Sequence, residues 1–228
     1  MSEDASERVR EIIRILKRTY PDARTSLNFD TPFQLLVATV LAAQCTDVKV
    51  NEVTKTLFPK YPTPADFARA DLRELERAIH ATGFFRQKAR AIIEASQDVV
   101  NEYGGRLPDS LEELTKLRGV GRKTANVVLG NAFGKPAIAV DTHVLRLSGR
   151  LGLTRPEYVQ KKDADKVEQD LMQVVPEEDW TLFSHLLVYL GRNICTARKP
   201  DHEICPILRL CPTGQAYLVE HRSSLQQV

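Results

Sequence analysis

Lys123 and Asp141 are the side chains of this sequence best placed to do chemistry. Lys123 lies in LRGVGRKTANVVLG, Leu117 to Gly130, where two glycines one residue apart precede Arg122 and Lys123 and then a helical apolar pattern. Three chemistries compete for such a stretch: a phosphate-cradling nucleotide loop, a backbone clamp for a nucleic acid, and a plain turn between helices. The nucleotide loop fails on spacing. It requires G-x-x-x-x-G-K-[ST] after a strand, whereas Gly121 is followed by Arg122 and the preceding SLEELTKL is helical in pattern. A plain turn needs only one glycine to end the first helix. Gly119 and Gly121 together bring the backbone close to something and turn successive N–H groups outward at a helix start, a geometry that binds anions. In a DNA clamp, Leu117 and Val120 bury inward, and the glycine N–H groups take a phosphate oxygen without reading sequence. A solvated basic turn remains the alternative.

Lys123, in the first turn of the following helix, is either one more phosphate-binding lysine or an amine nucleophile. As a nucleophile it attacks a sugar C1′ and forms a Schiff base. Residue type and position weigh these two equally. Asp141 comes further on, in AVDTHVLRLSGRLGL, after the short apolar run AIAV and before a helical pattern. The commonest job of Asp there is an N-cap. The chemical alternative is a carboxylate facing the same cleft as Lys123, stabilising a cationic sugar and assisting the attacking amine. A carboxylate has two oxygens, so both jobs coexist. A third group is the cysteines: Cys45 stands alone, while Cys195, Cys205 and Cys211 crowd one short segment. With reduced thiols, such crowding reads as metal ligation rather than disulfides.

The elements that must carry these groups are almost all helices. The pattern predicts helices over 6–20, over the nearly all-apolar FQLLVATVLAAQ, and over Asp47–Leu57, Thr63–Ala68, Asp71–Ala81, Arg86–Glu102, Ser110–Lys116, Arg122–Phe133, Asp141–Leu151, Lys162–Val174 and Glu178–Asn193. Thr31-Pro32 is an N-cap with Pro at the first helical position. Only AIAV, Ala137–Val140, reads as extended, and it is too short to found a sheet. The fold class is all-α. The 228 residues, 43% hydrophobic, hold one large domain or two small ones, and composition does not show the division. A net charge of +2 excludes a global field, so any basic DNA-binding surface is local. The N-terminus MSEDASERVREII lacks the apolar core of a signal peptide. No apolar run approaches the ~20 residues of a membrane span. The expected place is the cytoplasm or nucleoid.

LRGVGRKTANVVLG followed by AVDTHVLRLSGRLGL resembles the helix-hairpin-helix and aspartate motif of the endonuclease III family of DNA glycosylases. The resemblance runs from YPDARTSLNFDTPFQLLVATVLAAQCTD to the cysteine segment. It implies two helical lobes: a six-helix barrel over 24–136 with the helix-hairpin-helix at 110–133, and a four-helix iron–sulfur-type lobe made of 1–23 and 137–228. It implies a monomer acting on double-stranded DNA with a damaged base or abasic site, the nucleotide flipped out. Lys123 would attack C1′, expel the base and form the imine; β-elimination would nick the strand 3′ to the lesion, with Asp141 assisting. Gln44 matches the position that fills the gap left by the flipped base. Phe84 matches an apolar wedge, where the family often carries Leu. Gly119, Gly121 and Arg122 would hold phosphate. Arg118 stands where the family hairpin usually has Pro, which adds a charge near the phosphate. Adenine-mismatch glycosylases of this fold lack the lysine, so Lys123 resembles the bifunctional branch that removes oxidised pyrimidines. A mismatch or uracil glycosylase, a non-catalytic DNA-binding module and an iron–sulfur redox sensor are the competing readings.

The family's cluster motif is C-x6-C-x2-C-x5-C. In CTARKPDHEICPILRLC the four positions fall on Cys195, His202, Cys205 and Cys211, so the spacing is kept with His in place of one Cys. The resemblance implies a [4Fe–4S] cluster with His202 as a ligand, because His replaces Cys on iron elsewhere. A Cys3His set also suits zinc, and loss of the metal is the third case. Arg198 and Lys199, inside the loop, would add phosphate contacts. Cys45 reads as a small buried residue at a helix end.

Overall fold

The computed structural model describes residues 3–225. Its thirteen α-helices are α1 (Glu3–Thr19), α2 (Pro32–Leu41), α3 (Asp47–Lys60), α4 (Pro64–Ala68), α5 (Leu72–Ala78), α6 (Phe85–Tyr103), α7 (Leu111–Lys116), α8 (Arg122–Ala132), α9 (Thr142–Arg150), α10 (Pro156–Lys161), α11 (Ala164–Met172), α12 (Trp180–Asn193) and α13 (Pro212–Leu225). Among the described residues there is no strand. No helix among them is long and apolar enough to cross a membrane. The chain divides into two compact units, Thr25–Ala137 and Met1–Arg24 with Ile138–Val228.

The first unit is built around α2. The Thr31 hydroxyl caps its start by accepting from the Gln34 N–H at 3.2 Å, and Pro32 occupies the first turn without wasting a donor. Apolar residues all round this helix leave no face for solvent, so it becomes the centre of the core. Leu35, Ala38 and Leu41 are fully buried, with Val50, Leu75, Ile79, Ala89, Val99 and Leu114 packed in the same cluster. α6 presents Ala89, Ile92, Ala95 and Val99 to that core and ends at Gly104, whose left-handed φ of +59° terminates the helix.

The second unit joins α1 to α9–α12 through one core. Val9, Ile12 and Leu16 of α1, spaced for one helical face, meet Val144 and Leu147 of α9 and Phe183, Leu186, Leu187 and Leu190 of α12. Ile138 and Val140 of the AIAV run are buried here. The run forms no strand, and the Ala139 N–H goes to the Ser184 hydroxyl at 3.1 Å.

Several boundaries differ from the sequence reading. α3 runs to Lys60, beyond the expected end at Leu57, because losing one ladder bond at Pro59 is offset by burying Tyr61, whose N–H still reaches Leu57 O at 2.9 Å. The helix expected over Asp71–Ala81 stops at Ala78 and tightens into a 3₁₀ turn, His80–Thr82. α10 and α13 escaped the periodicity reading; each begins with Pro in its first turn, which was their one local signal.

Candidate active site

The hairpin is α7, the turn 117–121 and α8. Ser110 caps α7 by accepting from the Glu113 N–H at 3.2 Å. Leu114, Leu117 and Val120 are buried and anchor the turn from beneath, as the sequence predicted for Leu117 and Val120. The two glycines answer to different demands. Gly119 has φ +77°, and a Cβ there would stand 2.8 Å from the Ala91 Cβ, so the protein's own packing requires it. Gly121 has an ordinary φ and would meet nothing within 4 Å. It is exposed and forms the N-cap of α8, with no side chain capping that helix start. Lys123 is exposed in the first turn of α8, and Arg122 is half-buried beside it. Gly119→Ala is therefore expected to destabilise the fold by about 1–3 kcal/mol, through overpacking and a strained φ. Gly121→Ala should cost no more than about 1 kcal/mol, since Ala caps a helix start less well than Gly, and should weaken duplex binding because the added methyl holds a phosphate off the N–H groups at the start of α8. Thermal melts and salt-dependent binding isotherms check the pair.

Arg118 makes contacts within the protein that its position alone did not suggest. Its Nε and Nη2 grip both oxygens of Asp98 on α6 at 2.7–3.1 Å, and its backbone N–H gives Asp98 a further bond at 2.8 Å. Arg118 Nη2 also reaches Glu94 O at 3.2 Å. The guanidinium thus straps the hairpin turn to α6, where a proline would have stiffened it covalently. The Arg118 hydrogen bond holds the Asp98 carboxyl below its ordinary range.

Gln44 and Phe84 share an uncommon backbone state. Gln44 has φ +54° and Phe84 +47°, the left-handed region where a side chain costs energy. Gln44 is exposed in the turn between α2 and α3, and Phe84 is 65% exposed at the start of α6. Cys45 is half-buried in the turn after α2, packed on the edge of the core rather than buried in it, because the turn leaves it between two helices.

Asp141 caps α9. Its Oδ1 accepts both the His143 and Val144 N–H groups at 2.8 Å, so the cap uses one oxygen and Oδ2 has no part in it. His143 and His185 lie close enough to feel the carboxylate. Burial pushes both imidazoles below their ordinary range and outweighs the pull of Asp141.

The same helix holds the cysteine segment. Arg146 Nη2 donates to the carbonyls of Gly191 and Cys195 at 3.2 and 3.0 Å. Arg150 reaches Cys195 Sγ at 3.0 Å and the Thr196 and Ala197 carbonyls at 2.7 and 2.8 Å. Cys195, Cys205 and Cys211 are all half-buried and free. Burial pushes the Cys205 thiol up, and the other two thiols are near enough to add to it. The buried Tyr20 hydroxyl, which has no hydrogen-bond partner of good geometry, lies near Cys205. Three thiols and an arginine N–H on sulfur suit an iron–sulfur cluster. The His202 ring lies against Tyr217, 4.3 Å between centroids. It lines an open depression with Arg198, Lys199, Asp201, Glu203 and Tyr217. Arg198 and Lys199 are exposed, on a loop ordered by Arg150 and by the Thr196 hydroxyl on Lys199 O at 2.6 Å. Sequence reasoning missed Asp98, Lys88, Arg150 and Tyr20, because one charged or aromatic residue in an amphipathic helix carries no motif.

An all-helical frame with a glycine hairpin, an open helix start behind it and a cysteine-rich segment defines a helix-hairpin-helix DNA repair protein. The model of the HhH-GPD superfamily base excision DNA repair proteins matches residues 37–177, and that of the iron–sulfur binding domain of endonuclease III matches 195–211. The chain belongs to the endonuclease III family of DNA glycosylase/AP lyases. It is 51% identical over 211 residues to endonuclease III of Synechocystis sp., covering 92% of this chain and 94% of the relative. It is 49% identical over 196 residues to endonuclease III of Bacillus subtilis, covering 86% and 88%. A solved structure of a trapped endonuclease III–DNA covalent intermediate superposes with TM-score 0.85 at 44% identity, covering 93% of this chain and 98% of that one.

Proposed function

We propose that this enzyme removes oxidised pyrimidines from double-stranded DNA through Lys123. The amine attacks C1′ of the flipped nucleotide, the base departs, and an imine joins enzyme to sugar. Loss of a C2′ proton then breaks the C3′–O bond and nicks the strand 3′ to the lesion. Asp141 supports the positive sugar through the oxygen its cap leaves over. Gln44 fills the vacated place in the stack, Phe84 wedges it open, and Gly119, Gly121, Arg122, Arg198 and Lys199 contact phosphates. The enzyme works as a monomer at the nucleoid. The observation that carries this reading is an exposed Lys123 at a helix start that no side chain caps. The resemblance to an endonuclease III caught covalently on DNA supports it. Borohydride trapping on duplexes with thymine glycol, 5-hydroxycytosine, uracil or a T:G mismatch tests it. Trapping on the first two is expected; a preference for uracil or T:G would move the assignment to a mismatch or uracil glycosylase.

The cysteine segment fits a [4Fe–4S] cluster held by Cys195, Cys205 and Cys211, with His202 in place of the usual second cysteine. When bound, the cluster supplies a cross-link for the loop and a redox centre, and no step of excision or elimination depends on it. Protein purified without oxygen should contain about four irons and four sulfides per chain. His202→Ala should lower the iron content; unchanged iron would mean that another ligand completes the cluster.

A further inference from the structure

Lys88, on the first turns of α6, is buried at 5% exposure, yet it is no part of the chemistry above. Its Nζ donates to the carbonyls of Leu41 and Thr82, each at 2.8 Å. Leu41 is the last residue of α2, and Thr82 ends the 3₁₀ turn before α6. The ammonium therefore sits against the negative ends of two helical segments at once. Three residues beyond Leu41 stands Gln44, and two beyond Thr82 stands Phe84. These are two of the three non-glycine residues with positive φ among the described residues, the other being Lys162. The main chain adds a further tie: the Lys88 N–H bonds Phe84 O at 3.1 Å.

A residue in the left-handed region persists only when its surroundings over-determine it. Here the two strained turns share one atom in their surroundings, Lys88 Nζ. Burial pushes the amine down from its ordinary range, so an ammonium here is held at a desolvation cost. A methionine would fill the same volume at no such cost but could tie neither turn.

We propose that Lys88 is a positioning residue whose ammonium couples the Gln44 and Phe84 turns, so that gap-filler and wedge are presented to the duplex together. The inference rests on the roles given to Gln44 and Phe84 above.

The test uses the full-length, cluster-loaded enzyme and two variants, Lys88→Met and Lys88→Gln. Excision of thymine glycol from a duplex, in single turnover, should fall about tenfold or more, the size of a typical coupling between contacting groups. Cleavage of a ready-made abasic site in single-stranded DNA has no stack to open and should stay near wild type. Fluorescence of 2-aminopurine beside the lesion should lose its unstacking rise. Adding Gln44→Ala or Phe84→Ala to Lys88→Met should cost less than the product of the separate effects. In the wild-type protein, hydrogen exchange at residues 42–45 and 82–84 should report one common opening. Equal losses on duplex and single strand, multiplicative double variants, or separate openings of the two turns would each overturn the proposal. If Gln44→Ala and Phe84→Ala are themselves silent, their assigned roles fall and this inference falls with them. If they are costly and Lys88→Met is silent, only this inference falls.

Discussion

Lys123→Ala is expected to yield no borohydride-trapped complex on a thymine-glycol duplex, and strand cleavage should fall by at least about a thousandfold, as when a covalent nucleophile is removed. The folded state should not notice. Lys123 is exposed, on the solvent side of α8, whose core contacts are Ala125, Val128 and Leu129. Duplex binding should persist, because the open start of α8 at Gly121 keeps its N–H groups. Binding without trapping is what separates an enzyme from a structure-specific DNA-binding module. Trapping that survives in Lys123→Ala would sink the catalytic assignment and move the nucleophile elsewhere. Lys123→Arg keeps the positive charge and removes the nucleophile, so it should behave like Ala; a phosphate-binding lysine would instead tolerate Arg.

The second large effect concerns Asp141. Asp141→Asn should lose about 100-fold in single-turnover excision, within the range for a positioned acid–base group, while its melting temperature stays close to wild type. The asymmetry comes from the two oxygens. An amide Oδ1 can still accept from the His143 and Val144 N–H groups, and Asn caps a helix as well as Asp. The negative charge, and with it the support for a cationic sugar, is gone. Asp141→Ala removes cap and charge together and should cost about 1 kcal/mol of stability as well. Paired melts and single-turnover rates on the two variants separate the functions. If Asp141→Asn turns over at the wild-type rate, Asp141 is a cap and nothing more.

Much of this was readable from residue order alone. The helical class followed from 3.6-residue periodicity and from Thr31-Pro32 and Asp141 standing where caps stand, each of which the structure uses as a cap. The hairpin followed from two glycines flanked by buried Leu117 and Val120. These features are local: φ freedom, capping and amphipathic spacing act within one or two turns, so a linear reading reaches them. Boundaries were less legible where a longer-range contact overrode a breaker, as when Tyr61 carries α3 past Pro59. α13 was missed because its residues lack a clear apolar face.

By itself, then, the sequence determined the helices, the hairpin, the chemistry offered by Lys123 and Asp141, and the spacing of a cluster segment with one His among its cysteines. Tertiary structure alone decided which of two similar glycines the core demands, since only the approach of Ala91 distinguishes Gly119 from Gly121. It paired Arg118 with Asp98 on a separate helix. It turned His202 onto Tyr217 and brought Lys88 to two carbonyls 6 and 47 residues away. A side chain's type states what it can bind; the partner it meets is set by packing between distant segments, which no local pattern encodes.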